Sequence, residues 1–289
     1  MVVSQIKPNV LLIGDTVIDK YRVGSQMYFR AGGLGNVVGV VQANLANYSV
    51  VTAHPLQEQI GDLLRSPTSD VHIGKLNCAK TNVVDYHVCN GTVSALDDSP
   101  VRGKRSSSDK IVSYLRSKRF DFISVSDYSL GAMTSEVVRA IKDQVEKRNA
   151  ICIVDCRKAN FMDYFGCQVF LPNSEEFSAF WKRSEASEAR MSEMREQLNA
   201  QKIILKKGAD GVCALLEDKI LNVRPGNVTP RDTFGAGDYF QGFLLNEIMQ
   251  NGWNECSIDA AVRSVEGKIT TIGGGALVSA LTGNLSLSA

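Results

Sequence analysis

Asp232-Thr233-Phe234-Gly235-Ala236-Gly237-Asp238 sets a glycine-rich bend directly before a carboxylate. In the residues that follow, Phe240, Phe243, Leu244 and Ile248 recur at helical spacing, so the bend opens a helix with an apolar inner face. At a helix start several backbone N–H groups lack intrahelical acceptors, and the macrodipole favours negative charge. Gly235 and Gly237 let the backbone approach an anion with no side chain in the way. The amides of Gly235, Ala236 and Gly237 are thus candidates to neutralise a transferring phosphoryl group. Asp238, in the first helical turn, is placed to take a hydroxyl proton. An anion cradle beside a base is what phosphoryl transfer to an alcohol needs. Asp232 would orient the loop or cap the helix. Taken alone, the stretch also fits a plain glycine-rich turn closed by a capping Asp.

The elements that must position these groups are β-α units. Asn9 to Gly14 reads as a buried strand, followed by Asp15 and Asp19. Ala31-Gly32-Gly33-Leu34-Gly35-Asn36-Val37 then opens a second helix, with Val37, Val40, Val41 and Leu45 facing the core. Phe120 to Val125, Ala150 to Val154, Gln168 to Leu171 and Lys202 to Leu205 are strand candidates. Helical patterns run over Ser135 to Arg148 and, as a charged surface helix, over Ser184 to Ala200. This alternation predicts an α/β fold with a mostly parallel sheet covered by helices on both faces. Val17 to Arg30 and Thr81 to Leu96 break the pattern with strand-like stretches, Val83 to Cys89 most clearly. They fit either a hairpin at the sheet edge or a small β lid.

The 289 residues suffice for one α/β domain. A net charge of +1 gives no electrostatic case for nucleic acid or an anionic membrane, and neither a signal peptide nor a membrane-length apolar run is evident. The seven cysteines form no Cys-x-x-Cys pair and are scattered through apparent core, which fits reduced thiols in a cytoplasmic protein. His54, His72 and His87 lie apart, without metal-ligand spacing, and no Gly-x-x-x-x-Gly-Lys-Ser/Thr loop occurs.

Gly-Gly-x-x-Asn early and Asp-Thr-x-Gly-Ala-Gly-Asp late resemble the ribokinase-like carbohydrate kinases of the phosphofructokinase-B family, over nearly the whole chain. The resemblance implies a three-layer α/β/α fold with a small β lid, ATP and Mg²⁺ as cofactors, and a sugar or sugar phosphate as acceptor. It implies that Asp15 or Asp19 contacts the sugar, with Gly33 and Asn36 in the sugar-binding motif; Asp15 serves equally well as a loop cap. Asn173 and Glu176 match the family's Asn-x-x-Glu motif, which helps hold Mg²⁺ and phosphate. Mg²⁺ prefers oxygen ligands and retains waters, yet the same spacing is a good capping box. Lys206-Lys207-Gly208-Ala209-Asp210-Gly211 is similar to the family's turn beside the nucleotide, and a solvated β-turn accounts for it as well. With Thr233, Gly235 and Gly237, the residues Lys206, Gly208 and Gly211 make up the nucleotide-side set. Ala260 to Val265 and the triple glycine around Gly274 resemble segments that line the adenine site.

Ser126-Asp127-Tyr128-Ser129-Leu130-Gly131 is similar to the Ser-Asp-Tyr-x-Lys-Gly segment of bacterial heptose-7-phosphate kinases, which adds Asp127 to the acceptor side. Leu130 stands where that branch has a lysine. The stretch Thr81 to His87 lacks that branch's basic lid residues, the region from His54 to Val71 is shortened, and no His-x-Gly-His nucleotidyltransferase half is present. The leading expectation is an ATP- and Mg²⁺-dependent sugar kinase with Asp238 as base. A kinase for a nucleoside or other small alcohol, and a catalytically idle ligand-binding module on the same fold, are the other two readings. A lid that pairs with its counterpart would make a homodimer.

Overall fold

The computed structural model describes residues 8–42, 48–54, 64, 69–75, 83–89, 92–97, 109–182, 188–217, 219–275 and 278–279. The strand expected over Asn9 to Gly14 does not stop at the glycine. Strand β1 runs over Val10–Val23 because its two halves find different partners. Its first half lies between β3 (Tyr48–His54) and β7 (Phe122–Asp127), parallel to both. Beyond Asp15 it pairs antiparallel with β2 (Gln26–Gly33) and, from Ile18, parallel with β5 (Val83–Cys89). Gly14 stands at the hand-over, where a Cβ would collide with the Ser126 carbonyl.

Two sheets therefore share one strand. The larger is ordered β4-β3-β1-β7-β8-β9-β10-β11-β12, with β4 (Ser69–Lys75), β8 (Ile151–Cys156), β9 (Val169–Phe170) and β10 (Lys202–Lys206) parallel to β1. Strands β11 (Val212–Leu216) and β12 (Lys219–Val223) close its edge antiparallel. The smaller sheet, β6-β5-β1-β2-β13, adds β6 (Thr92–Asp97) and β13 (Val278–Ser279). Both irregular segments of the sequence, 17–30 and 81–96, contribute strands to it. Strand β9 is shorter than expected, because Pro172 lacks an N–H and Asn173 already caps a helix.

Among the described residues seven helices cover the larger sheet. On one face lie α1 (Leu34–Gln42), α6 (Ala236–Asn251) and α7 (Glu255–Ile269). On the other lie α2 (Asp109–Ser117), α3 (Ser135–Arg148), α4 (Ser174–Phe180) and α5 (Glu188–Leu198). The period-two geometry of a strand sends successive side chains to opposite faces. Leu11 and Ile13 accordingly pack under the second helical layer, while Val10 and Leu12 pack under the first. Residues 184–187 of the expected surface helix, and the tail from Thr282, lie outside the described residues. Among the described residues no helix is long and apolar enough to cross a membrane.

In open α/β sheets ligands gather outside the carboxyl ends of the strands. Here those ends carry Asp127 closing β7, Asp155 and Arg157 at the end of β8, Asn173 after β9 and Lys206 closing β10. Helix α6 points its N-terminus at the same rim.

Candidate active site

The bend before α6 folds around Asp232, which is buried. Its carboxylate accepts the Tyr21 hydroxyl at 2.9 Å, the Phe234 N–H at 3.0 Å and the Gly273 N–H at 2.8 Å. Asp232 is thus the loop organiser. Gly235 is left-handed (φ 82°), and a Cβ there would lie 2.5 Å from Asn36 Nδ2. A side chain is excluded on both counts. The Ala236 N–H already closes a turn on the Thr233 carbonyl at 3.2 Å. The Gly237 amide, one residue on, has no intrahelical acceptor by the geometry of a helix start. Lys206 Nζ lies beside it, 3.3 Å from where a Gly237 Cβ would sit.

Asp238 is buried and both its oxygens are held: Asn36 Nδ2 donates to one at 2.8 Å, and the Tyr128 hydroxyl donates to the other. Burial pushes its carboxyl up to about 6, against the lowering effect of those two hydrogen bonds. A carboxylate in that range is largely ionised at neutral pH. Lys206 is ion-paired with Asp155; burial alone would lower its ammonium, but Asp155 and Glu176 hold it above the usual value.

Asn173 and Glu176 form a reciprocal capping box at the start of α4, with both bonds at 2.8 Å. Both side chains also line the cleft. Burial pushes Glu176 up to about 7, countered by Lys206 and reinforced by Asp155. Capping and cleft-lining therefore coexist in one pair of residues. Among the described residues no group of three or more His, Cys, Asp or Glu has the arrangement of a self-sufficient metal site.

Two clefts meet at this point. A polar one, of about 330 Å³, is lined by Asp19, Gly33, Asn36, Tyr128, Asp155, Arg157 and Asp238 among others. A largely apolar one, of about 460 Å³, runs from Gly208 and Gly211 past Pro225 to Val262, Val265 and Ile269. Lys206, Thr233, Ala236 and Gly237 belong to both. Asp238 faces the polar cleft only.

Three sequence candidates sit elsewhere. Asp15 is buried and its carboxylate accepts the backbone N–H groups of Tyr128, Leu130 and Ala132 at 2.9, 3.0 and 2.9 Å. That is the loop-capping alternative, and it leaves Asp15 behind the cleft wall. Asp127 is likewise buried, accepting the Ser129 N–H and the Tyr164 hydroxyl. Gly274 lines neither cleft; it backs onto Tyr239, whose hydroxyl a Cβ would strike. Asp19 does line the polar cleft, while holding Arg30 at 2.8 Å.

Asp15→Ala leaves three backbone donors without acceptors, at about 1–3 kcal/mol each. Relief of a buried carboxylate, pushed up to about 7 by burial and by Asp127, offsets part of that. A net loss of roughly 2 kcal/mol is expected from urea unfolding at pH 7. Asp15 titrates higher folded than unfolded, so its contribution is present below its ordinary 3.8 and fades as pH rises through about 7. Asp15→Asn should flatten that slope.

Motif reading missed Arg30, Tyr128, Asp155, Arg157 and Tyr239. Arg30 is buried on β2: Nε meets Asp19, one terminal nitrogen donates to the Tyr239 hydroxyl, and the other reaches the Phe234 carbonyl at 3.3 Å. It fastens the smaller sheet to the glycine-rich bend before α6. Alternating with core-packed Phe29 along β2, Arg30 reads as an outward-facing charge, so nothing local marks it as buried.

The sequence profile of the pfkB family carbohydrate kinases matches residues 74–277. The chain belongs to that family. The family is one of carbohydrate kinases. The bifunctional protein HldE of Campylobacter jejuni is 24% identical over 265 residues, covering 81% of this chain and 55% of its own length. HldE of Nitrobacter hamburgensis is 30% identical over 126 residues, covering 42% of this chain and 26% of its own. The chain thus spans between 26% and 55% of these two curated relatives. Escherichia coli phosphofructokinase-2, solved in complex with substrates and products, aligns with a TM-score of 0.73 at 15% identity, over 92% of this chain and 94% of that one. Arabidopsis thaliana ribokinase, complexed with ribose and ATP, aligns with a TM-score of 0.68 at 14% identity, over 93% and 96%. At those identities the two structures speak for the ribokinase-like fold.

Proposed function

We propose that this pfkB-family protein transfers the γ-phosphoryl group of ATP to a hydroxyl of a sugar or sugar phosphate, with Asp238 as general base. One observation carries the reading. An apolar cleft suited to a purine and a polar cleft suited to a polyol meet at a shared helix N-terminus, and the single carboxylate of that helix start faces only the polar side.

The apolar cleft, with Val262, Val265 and Ile269 in its wall, takes the base of the nucleotide; the triphosphate reaches the bend past Gly208, Gly211 and Lys206. The Gly235–Gly237 backbone and the Lys206 ammonium meet charge on the transferring group. Asn36, Asp19 and the Gly33 backbone orient the acceptor. As the acceptor oxygen bonds to γ-phosphorus and the bond to the ADP oxygen breaks, Asp238 takes the hydroxyl proton. Mg²⁺ would neutralise phosphate oxygens. Glu176, Asn173 and Asp155 suit it as oxygen donors reached through water, and Glu176, raised by burial, is a carboxylate that gains from a nearby cation. Arg157 brings to the acceptor cleft a cation that the Thr81 to His87 stretch lacks, which favours an acceptor bearing phosphate.

An ADP-coupled assay over free sugars, sugar phosphates and nucleosides tests the proposal. Turnover confined to sugars or sugar phosphates supports it. Turnover confined to nucleosides replaces the acceptor, and ligand binding by calorimetry with no turnover across the panel replaces the enzyme with a binding module.

A further inference from the structure

The Tyr128 hydroxyl donates to the Asp238 oxygen that Asn36 does not hold. Asn36 holds the other oxygen at 2.8 Å, so in this structure the carboxylate has a donor on each side. The Tyr128 ring lies in the polar cleft beside the sugar-motif glycine: a Cβ on Gly33 would sit 3.5 Å from its Cε2. Its other neighbour is the Arg157 guanidinium, 4.9 Å from the ring centre. The phenol thus fills acceptor space and presents an O–H to the base, as an acceptor would.

The backbone beneath it is pinned. Asp15 holds the N–H groups of Tyr128, Leu130 and Ala132, Asp127 holds that of Ser129, and Ser129 itself is left-handed (φ 59°). Any exchange of occupants at Asp238 therefore falls to rotation of the Tyr128 side chain, with Arg157, an exposed residue, as the yielding neighbour.

We propose that Tyr128 is a guard of the acceptor site: its hydroxyl keeps water off Asp238 until an acceptor alcohol displaces it, and so suppresses wasteful hydrolysis of ATP. The inference rests on the kinase reading above. In a kinase the hazard is chemical. Water seated against Asp238 would attack γ-phosphorus, give its proton to the carboxylate and release ADP and inorganic phosphate. The phenol is a safe occupant, because burial and the facing Asp238 hold its proton on tightly and its ring cannot follow the oxygen toward phosphorus while the turn is fixed.

The test needs no knowledge of the acceptor. ADP release from Mg·ATP alone is compared between the wild type and Tyr128→Phe, with Tyr128→Leu as a second variant should the first fold poorly. Removing the hydroxyl is expected to raise acceptor-free hydrolysis by about tenfold or more, and Asp238→Asn in the same background to abolish the gain. With an acceptor in hand, its KM should fall in Tyr128→Phe while kcat changes little. Folded variants that bind a non-hydrolysable ATP analogue yet hydrolyse ATP no faster than the wild type overturn the guard. So does mass-spectrometric detection of phosphate on Tyr128 in the wild type, which would make the phenol an acceptor. If the wild type meanwhile phosphorylates a sugar, the kinase reading stands without the guard. If it neither binds the nucleotide nor turns over, both fall together.

Discussion

Asp238→Asn is expected to lower kcat by about 10²–10⁴-fold, the usual worth of a positioned general base. Asparagine keeps the shape of the side chain and one oxygen for the Asn36 amide, so the fold and the nucleotide cleft should survive. The KM for ATP should change little, because Asp238 lines only the polar cleft. Burial holds the Asp238 carboxyl at about 6. The base works only when ionised, so kcat/KM of the wild type should climb with pH through about 6 and level above it. The residual activity of the variant should lack that rising limb. Initial rates across a pH series give both results. A variant with wild-type turnover would remove the base.

Arg30→Met should be the most damaging change for stability outside the apolar core. The guanidinium is buried, and its loss breaks the buried ion pair with Asp19, at about 3–5 kcal/mol. It also frees the Phe234 carbonyl and the Tyr239 hydroxyl, which Arg30 ties together behind the bend. Denaturant unfolding should register the loss. The double variant Asp19→Asn, Arg30→Met should be less destabilised than the sum of its parts, because both changes break the same ion pair. Additive costs would show that the pair is not the linkage between the smaller sheet and the glycine-rich bend.

How much of this was legible depends on which interactions are local. The bend before α6 could be read because its work is done by backbone: two glycines, a helix start and a first-turn carboxylate are fixed by consecutive residues. Helix α3 was legible end to end for the same reason, with Thr134 capping its start and a left-handed Asn149 closing it. Strand β1 was cut too early, since nothing in its own sequence announces that two further strands will extend it past Gly14. Asp15 and Asp19 then looked like twin strand-end carboxylates. In the fold one is consumed by the 128–132 turn, and the other faces both the cleft and Arg30. The carboxylates and cations from different strand ends, Asp155, Arg157 and Lys206, meet only through the parallel sheet, and no spacing in the chain records it. Tyr128 was quoted as part of a similarity; its contact with Asp238 spans 110 positions. Gly274 is a glycine whose close packing on Tyr239 could not be read from the triple glycine alone.

The central claim is transfer of phosphoryl to a carbon-bound hydroxyl at the junction of the two clefts. ³¹P NMR of the protein with Mg·ATP and pooled sugars and sugar phosphates addresses it directly. The account predicts that the γ-phosphorus signal is replaced by a new phosphomonoester signal in step with ADP, and that Asp238→Asn produces neither. ADP appearing with inorganic phosphate alone, or a new ester formed equally well by Asp238→Asn, would contradict it.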